Sequence, residues 1–254
     1  MSEHVRSEVR EATQIISINR PERKNALTHA MYDALSSAII SADSNPEIRT
    51  IILTGTTECF TAGNDLGDFL QNPPLGEDSP VSRFMVALLE CTKPVIAAIN
   101  GPAVGIGTTL LLHCDLVYAG LQSHLQTPFT RLGLCPEYAS SLLMPQLLGH
   151  RKAFEMLVLG EPMGAEEALR TGLVNGIGDD YLEQAIARAA QIAQLPPASV
   201  RLGKKLMTSA QREEVRTMIK TEMAAFGERL TSEEAKEAFS AFAAKRAPDF
   251  SRFS

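Results

Sequence analysis

The sequence predicts an α/β fold followed by a helical C-terminal region. Two patterns carry this reading. Short runs of Ile, Leu, Val and Ala alternate with stretches of helical periodicity through the earlier part of the chain. From about residue 180 only helical stripes remain. A third observation is compositional: 254 residues with 44% hydrophobic and 21% charged side chains are ordinary for a globular protein. A chain of that length can bury a full core without disulfide or metal staples.

The elements follow in order. Gln14 to Asn19 holds Ile15, Ile16 and Ile18 and stops at Arg20-Pro21, which reads as a strand ended by proline. Thr28 is a helix N-cap, because Met31, Leu35, Ala38 and Ile39 follow at helical spacing until Asn45-Pro46. Ile51 to Leu53 is a short buried strand ending at Gly55. Val95 to Ile99, after Lys93-Pro94, is another, and Leu116 to Ala119 a third. Residues 71–80, QNPPLGEDSP, form a loop and a candidate lid or entry wall. Leu182, Ala185, Ile186, Ala189, Ile192 and Ala193 make one helical stripe, and Leu195-Pro196-Pro197 a hinge. Val215, Met218, Ile219 and Phe226 make a second stripe. Thr231 and Glu234 form a capping box before Ala235, Ala238, Phe239 and Phe242.

Charge and composition exclude several function classes. With 24 basic and 30 acidic residues the net charge is −6, so bulk charge does not draw the protein to nucleic acid or anionic membrane. No apolar run approaches the 18 or so residues of a membrane span. The opening MSEHVRSEVREATQ lacks an apolar leader core, and the ending SRFS is not a peroxisomal tripeptide, so cytoplasm is the expected compartment. Cysteines at 59, 91, 114 and 135 form no C-x-x-C pair, and the five histidines show no chelating spacing, so no metal site is expected. His113 lies in an apolar run and reads as a hydrogen-bonded core histidine. Dinucleotide, P-loop and nucleophile-elbow motifs are missing.

Two glycine-containing turns stand out. Phe60-Thr61-Ala62-Gly63-Asn64-Asp65-Leu66 follows the Ile51–Leu53 strand, and Asn100-Gly101-Pro102-Ala103-Val104-Gly105-Ile106-Gly107 follows Val95–Ile99. Each is a strand end followed by a helix start, where free N–H groups and a positive dipole end are presented. Aimed at one point, two such starts would bind a carbonyl oxygen that becomes negative. On spacing alone, glycines that only allow tight turns and close packing are the simpler reading.

The stretch Asn19-Arg20-Pro21-Glu22-Arg23-Lys24-Asn25-Ala26-Leu27-Thr28 resembles the coenzyme A loop of the crotonase (enoyl-CoA hydratase/isomerase) superfamily. The two glycine turns resemble its oxyanion turns, and Phe242-Ala243-Ala244-Lys245-Arg246-Ala247-Pro248-Asp249-Phe250 its terminal helix. The resemblance runs from about residue 14 to residue 250. It implies a crotonase-like spiral of repeated β-β-α units over residues 1–195, with a helical trimerisation region over 196–254. It further implies that the backbone N–H groups of Asn64 and Ile106 hold the thioester carbonyl of an acyl-CoA. Lys24, Ala26, Ala62, Asp65 and Leu66 would line the path of coenzyme A, which is part of the substrate; no other cofactor is implied. Phe226, Phe242 and Lys245 would approach from the helical region. The assembly implied is a homotrimer or a dimer of trimers.

Carboxylates distinguish the branches. Hydratases of the family use two glutamates, and their positions in this chain hold Thr109 and Phe129. One carboxylate stands nearby, Glu137 in Leu132-Gly133-Leu134-Cys135-Pro136-Glu137-Tyr138. This resembles the Δ3,Δ2-enoyl-CoA isomerase branch, especially the peroxisomal type, in which a single glutamate moves the proton. Phe129, Leu132 and Leu134 would wall the site and raise the pKa of the glutamate. The competing readings are a hydratase-like enzyme or a thioester hydrolase on the same scaffold, or a non-catalytic acyl-CoA-binding module.

Overall fold

The computed structural model describes residues 3–71, 76 and 78–253. The strands are β1 (Val5–Arg10), β2 (Thr13–Ile18), β3 (Thr50–Thr54), β4 (Val95–Ile99), β5 (Pro102–Val104), β6 (Leu116–Ala119), β7 (His124–Gln126), β8 (Met163–Gly164) and β9 (Gly176–Ile177). The helices are α1 (His29–Ser44), α2 (Leu66–Gln71), α3 (Pro80–Glu90), α4 (Ile106–Thr109), α5 (Ser140–Leu148), α6 (His150–Leu157), α7 (Ala165–Thr171), α8 (Tyr181–Ala193), α9 (Pro197–Ser209), α10 (Arg212–Leu230) and α11 (Glu233–Ala243). Among the described residues the strands form a six-stranded sheet in the order β1-β2-β3-β4-β6-β9 and a three-stranded sheet in the order β5-β7-β8.

The larger sheet is parallel except for the β1–β2 hairpin. Its strands are apolar on both faces because helices cover both. Ile15, Ile52, Ile96, Ala98 and Tyr118 share one face and pack on Tyr181, Ala185 and Ala189 of α8. Ile16, Ile51, Leu53, Val95, Ala97, Ile99 and Val117 point the other way, into a core completed by α1 and α3. At strand ends the chain steps from the large sheet to the small one, β4 to β5 and β6 to β7, and then enters a helix. This makes the repeated β-β-α units of the crotonase fold, followed by C-terminal helices. Val215, Ile219 and Leu230 of α10, and Ala235 and Phe239 of α11, join that same core.

The helix signals hold well. The Thr28 side chain caps α1 by accepting from the Met31 N–H at 3.4 Å, and Asn45 ends that helix. Pro197 opens α9 at a first-turn position, where its missing N–H costs nothing. The C-terminal capping box is displaced by one residue. Ser232, not Thr231, accepts from the Ala235 N–H, at 3.1 Å, while Thr231 closes α10 and Glu234 pairs with Arg229. β1 is unannounced in the sequence because VRSEVR is almost wholly exposed and carries no apolar alternation; ladder bonds to β2 define it. Of the proline-rich stretch 71–80, residues 72–75 and 77 lie outside the described residues. Gln71 closes α2 and Pro80 opens α3.

Candidate active site

The site begins with a strap, residues 20–28, tied to the turn at 59–66. Asn25 is fully buried with a φ of +56°, a conformation asparagine tolerates better than most residues. Its amide donates to the carbonyls of Cys59 at 2.7 Å and Phe60 at 3.2 Å, and its Oδ1 accepts from the Arg20 N–H at 2.7 Å. Arg20 reaches Asp65 at 2.7 Å. Asp65 also accepts from the N–H groups of Gly67 and Asp68, at 3.0 and 3.1 Å, and so starts α2. Burial works against the ionised Asp65, but the Arg20 bond and these amides outweigh it and hold its pKa below the ordinary value.

Leu27 and Asn64 form an isolated parallel bridge, with Leu27 N–H to Gly63 O and Asp65 N–H to Leu27 O both at 2.8 Å. In that geometry the N–H of Asn64 points away from the strap. Gly63 makes the turn possible: its φ is +88°, and a Cβ there would lie 2.9 Å from the carbonyl oxygen of Val104. Gly105, with a φ of +57°, turns the second segment into α4, so the Ile106 N–H opens that helix. Among the described residues neither N–H is used by a hydrogen bond of the fold. Asn64 and Ile106 line one cleft of about 590 Å³.

Ala26, Ala62, Asp65, Leu66, Phe129, Phe226 and Phe242 also line this cleft, as the sequence expects. Phe242 is 65% exposed and stands at its mouth. Lys24 and Lys245 are exposed and do not line it. Lys24 has a φ of +49° and turns its carbonyl inward to accept from the Ala62 N–H at 2.9 Å. Lys245, with a φ of +52°, turns the chain past α11, so that Arg246 reaches Glu237. The cations on the cleft wall are Arg23 and Arg131.

Glu137 sits deeper, on a small inner cavity of about 30 Å³ that shares Asn64, Phe69 and Phe226 with the cleft. Room of that size suits a water molecule or a methylene group. Phe129, Leu132 and Leu134 wall the outer cleft instead of enclosing Glu137, because the carboxylate points toward α3 and α10. Its apolar neighbours are Phe69, Val81, Met85, Met223, Phe226 and Leu230. Burial pushes the pKa of Glu137 up to about 7, against the Thr109 hydroxyl, which donates to its Oε1 at 2.8 Å; nearby Glu222 adds to the rise. Thr109 therefore does more than lack a carboxylate: it fixes one face of Glu137. Tyr32, itself buried, donates to the Asn64 Oδ1 at 2.5 Å and so holds the side chain that borders both cavities.

Residues 8–252 match the family described as "Enoyl-CoA hydratase/isomerase". The chain belongs to this family. Isomerase-type proteins are among its relatives. It is 36% identical over 209 residues to "Enoyl-CoA delta isomerase 2" of Homo sapiens, a match that spans 79% of this chain and 53% of that protein. The chain thus accounts for about half the length of that relative. It is 35% identical to a "Probable enoyl-CoA hydratase" of Rhodobacter capsulatus, over 98% of this chain and 99% of that one. Among solved structures, "Pseudomonas aeruginosa OdaA" superimposes with a TM-score of 0.93 at 48% identity, covering 95% of this chain and 99% of the other.

Within this family fold, sequence reasoning missed the residues that act through contacts distant in the chain. Arg23, Arg131, Tyr32 and Glu222 belong to this group. Only Glu222 left a readable trace. Val215, Ile219, Phe226 and Leu230 define the inward face of α10, and position 222 falls on it, so an acidic side chain there is buried.

Proposed function

We propose that the protein is an enoyl-CoA isomerase that shifts a double bond from C3 to C2 of an acyl-CoA thioester. The observation that carries this reading is one buried carboxylate, Glu137, beside a cleft lined by two segments with unused N–H groups. In this reading the N–H groups of Asn64 and Ile106 hold the thioester oxygen. Glu137 takes a proton from C2. The C–H electron pair moves into the thioester, and the negative charge collects on the held oxygen as a dienolate. Glu137 then returns the proton to C4, which leaves a C2–C3 double bond and a free carboxylate. Proton count and electron count are unchanged, so the step requires no second cofactor. A base with a pKa of about 7 is suited to abstract and release a proton at neutral pH. Threonine and phenylalanine at 109 and 129 leave no second glutamate at the hydratase positions. Arg23 and Arg131 would suit the phosphates of coenzyme A, and the assembly would be a homotrimer or a dimer of trimers. The test is incubation with a 3-enoyl-CoA and, separately, a 2-enoyl-CoA, with product identification. Formation of the conjugated 2-enoyl product, without efficient hydration, is expected. Hydration alone, or release of free coenzyme A alone, would overturn the proposal in favour of a hydratase or a hydrolase.

A further inference from the structure

The backbone just after Glu137 is held in an unfavourable shape. Tyr138 and Ala139 have φ values of +58° and +56°. Two successive non-glycine residues in the left-handed region persist only where their surroundings over-determine them. Three ties do so. His113 bonds the Tyr138 carbonyl through Nε2 at 2.8 Å and stacks on the Tyr138 ring, and the Tyr138 hydroxyl donates to the Met85 carbonyl at 2.8 Å. The third tie comes from α10. Glu222 accepts from the Ala139 N–H at 2.5 Å with one oxygen, and from the Ser141 N–H at 2.9 Å and hydroxyl at 2.5 Å with the other. Glu222 is 5% exposed and does not line either cavity of the site. Every group it contacts donates, which suits the ionised carboxylate, while burial works the other way and leaves its pKa above the ordinary value.

We propose that Glu222 is a positioning residue for Glu137: it reaches from the C-terminal helices to lock the 137–141 segment and so aims the Glu137 carboxylate into the inner cavity. The role of Glu137 as the base rests on the isomerase reading above; its positioning by Glu222 does not. A buried negative charge close by also favours the protonated form of Glu137. The other titratable groups facing Glu137 are Tyr32 from α1, and Cys135 and Tyr138 from its own segment.

The variant Glu222→Gln removes the charge, and its amide hydrogens face one of the two backbone donors, whichever its single oxygen leaves. Glu137 is followed directly, by the infrared band of its carboxyl group, assigned by its loss in Glu137→Gln. In Glu222→Gln its titration midpoint is expected to fall below about 7. Turnover of a 3-enoyl-CoA should fall roughly 10-fold to 100-fold, while the affinity for a saturated acyl-CoA, read by calorimetry, changes less than about threefold. An unmoved midpoint in a folded variant overturns the proposal, including when stability drops, since a merely structural role would lower stability alone. If circular dichroism shows that Glu222→Gln is unfolded, Ser141→Ala removes one donor from Glu222 and is read in the same titration. A midpoint shifted in either direction then supports the proposal, because a loosened anchor moves Glu137 relative to Thr109 and its apolar neighbours, and an unchanged one defeats it. The titration needs no turnover, so failure of the unaltered protein to isomerise any 3-enoyl-CoA would defeat the isomerase reading separately.

Discussion

In the proposed role of proton shuttle, Glu137 combines burial with one directed hydroxyl donor. Because its pKa is pushed up to about 7, the free base is in short supply below neutrality. The rate at low substrate concentration should therefore climb with pH through about 7 and level off above it. A profile flat from pH 5 to 9 would contradict this. Glu137→Gln keeps the shape and can still accept from Thr109, but cannot take a proton. Turnover should fall roughly 10²–10⁴-fold with little change in acyl-CoA affinity. The same substitution should stabilise the fold. In the native state the carboxyl holds its proton more tightly than in the unfolded chain, so its contribution to stability is complete below about 4.5 and is lost as pH rises through about 7. Above that, ionised Glu137 costs on the order of 3 kcal/mol, which Gln avoids. Thermal melts should show the variant gaining on the parent as pH rises from 5 to 8. A variant that loses ground over that range would mean Glu137 is not buried as an unpaired carboxylate.

At the scale of elements, the decisive feature is where helices and bridges begin. The Ile106 N–H is free because α4 starts there, and the Asn64 N–H because its bridge to Leu27 uses the flanking groups. Proline is tolerated at the first helical position but has no N–H to give. Ile106→Pro should thus keep the fold, checked by circular dichroism, while turnover falls on the order of 10²–10³-fold. Near-normal turnover in the folded variant would remove Ile106 from the proposed role. The strap works at this scale as well. Asn25, Arg20 and the Lys24 carbonyl turn inward to build the wall, which leaves the Lys24 side chain outside it. The motif from Asn19 to Thr28 was readable as a unit, but which of its side chains face the cleft depends on backbone turns at Lys24 and Asn25 that no spacing rule reveals.

Across the whole molecule, exposed apolar side chains bear on the proposed assembly. Helix α9 buries no residue in the single chain, yet it carries Leu202, Leu206 and Met207, which are 55%, 66% and 84% exposed. Phe154 and Leu159, around α6, are also exposed. Patches of this kind are commonly covered by further copies in a closed symmetric assembly. Light scattering at micromolar concentration should give three or six times the 27.5 kDa chain mass, and a monomer would contradict it. No helix among the described residues is long and apolar enough to cross a membrane. The sequence by itself determined the α/β class, the strands at 51–53, 95–99 and 116–119, the Thr28 cap and the C-terminal helical stripes. Those features are set by local periodicity and capping chemistry. It also singled out Glu137, Asn64 and Ile106, because each lies inside a contiguous motif. Only the tertiary structure decided that Glu137 faces a cavity walled by α3 and α10, that Thr109 bonds it, and that Glu222 anchors the segment behind it. Only the tertiary structure, too, put Arg23 and Arg131 on the cleft wall in preference to Lys24 and Lys245. The Glu222 bonds alone join residues 81 and 83 positions apart. Their geometry follows from how the sheets and the helical region pack, and local sequence carries no record of that.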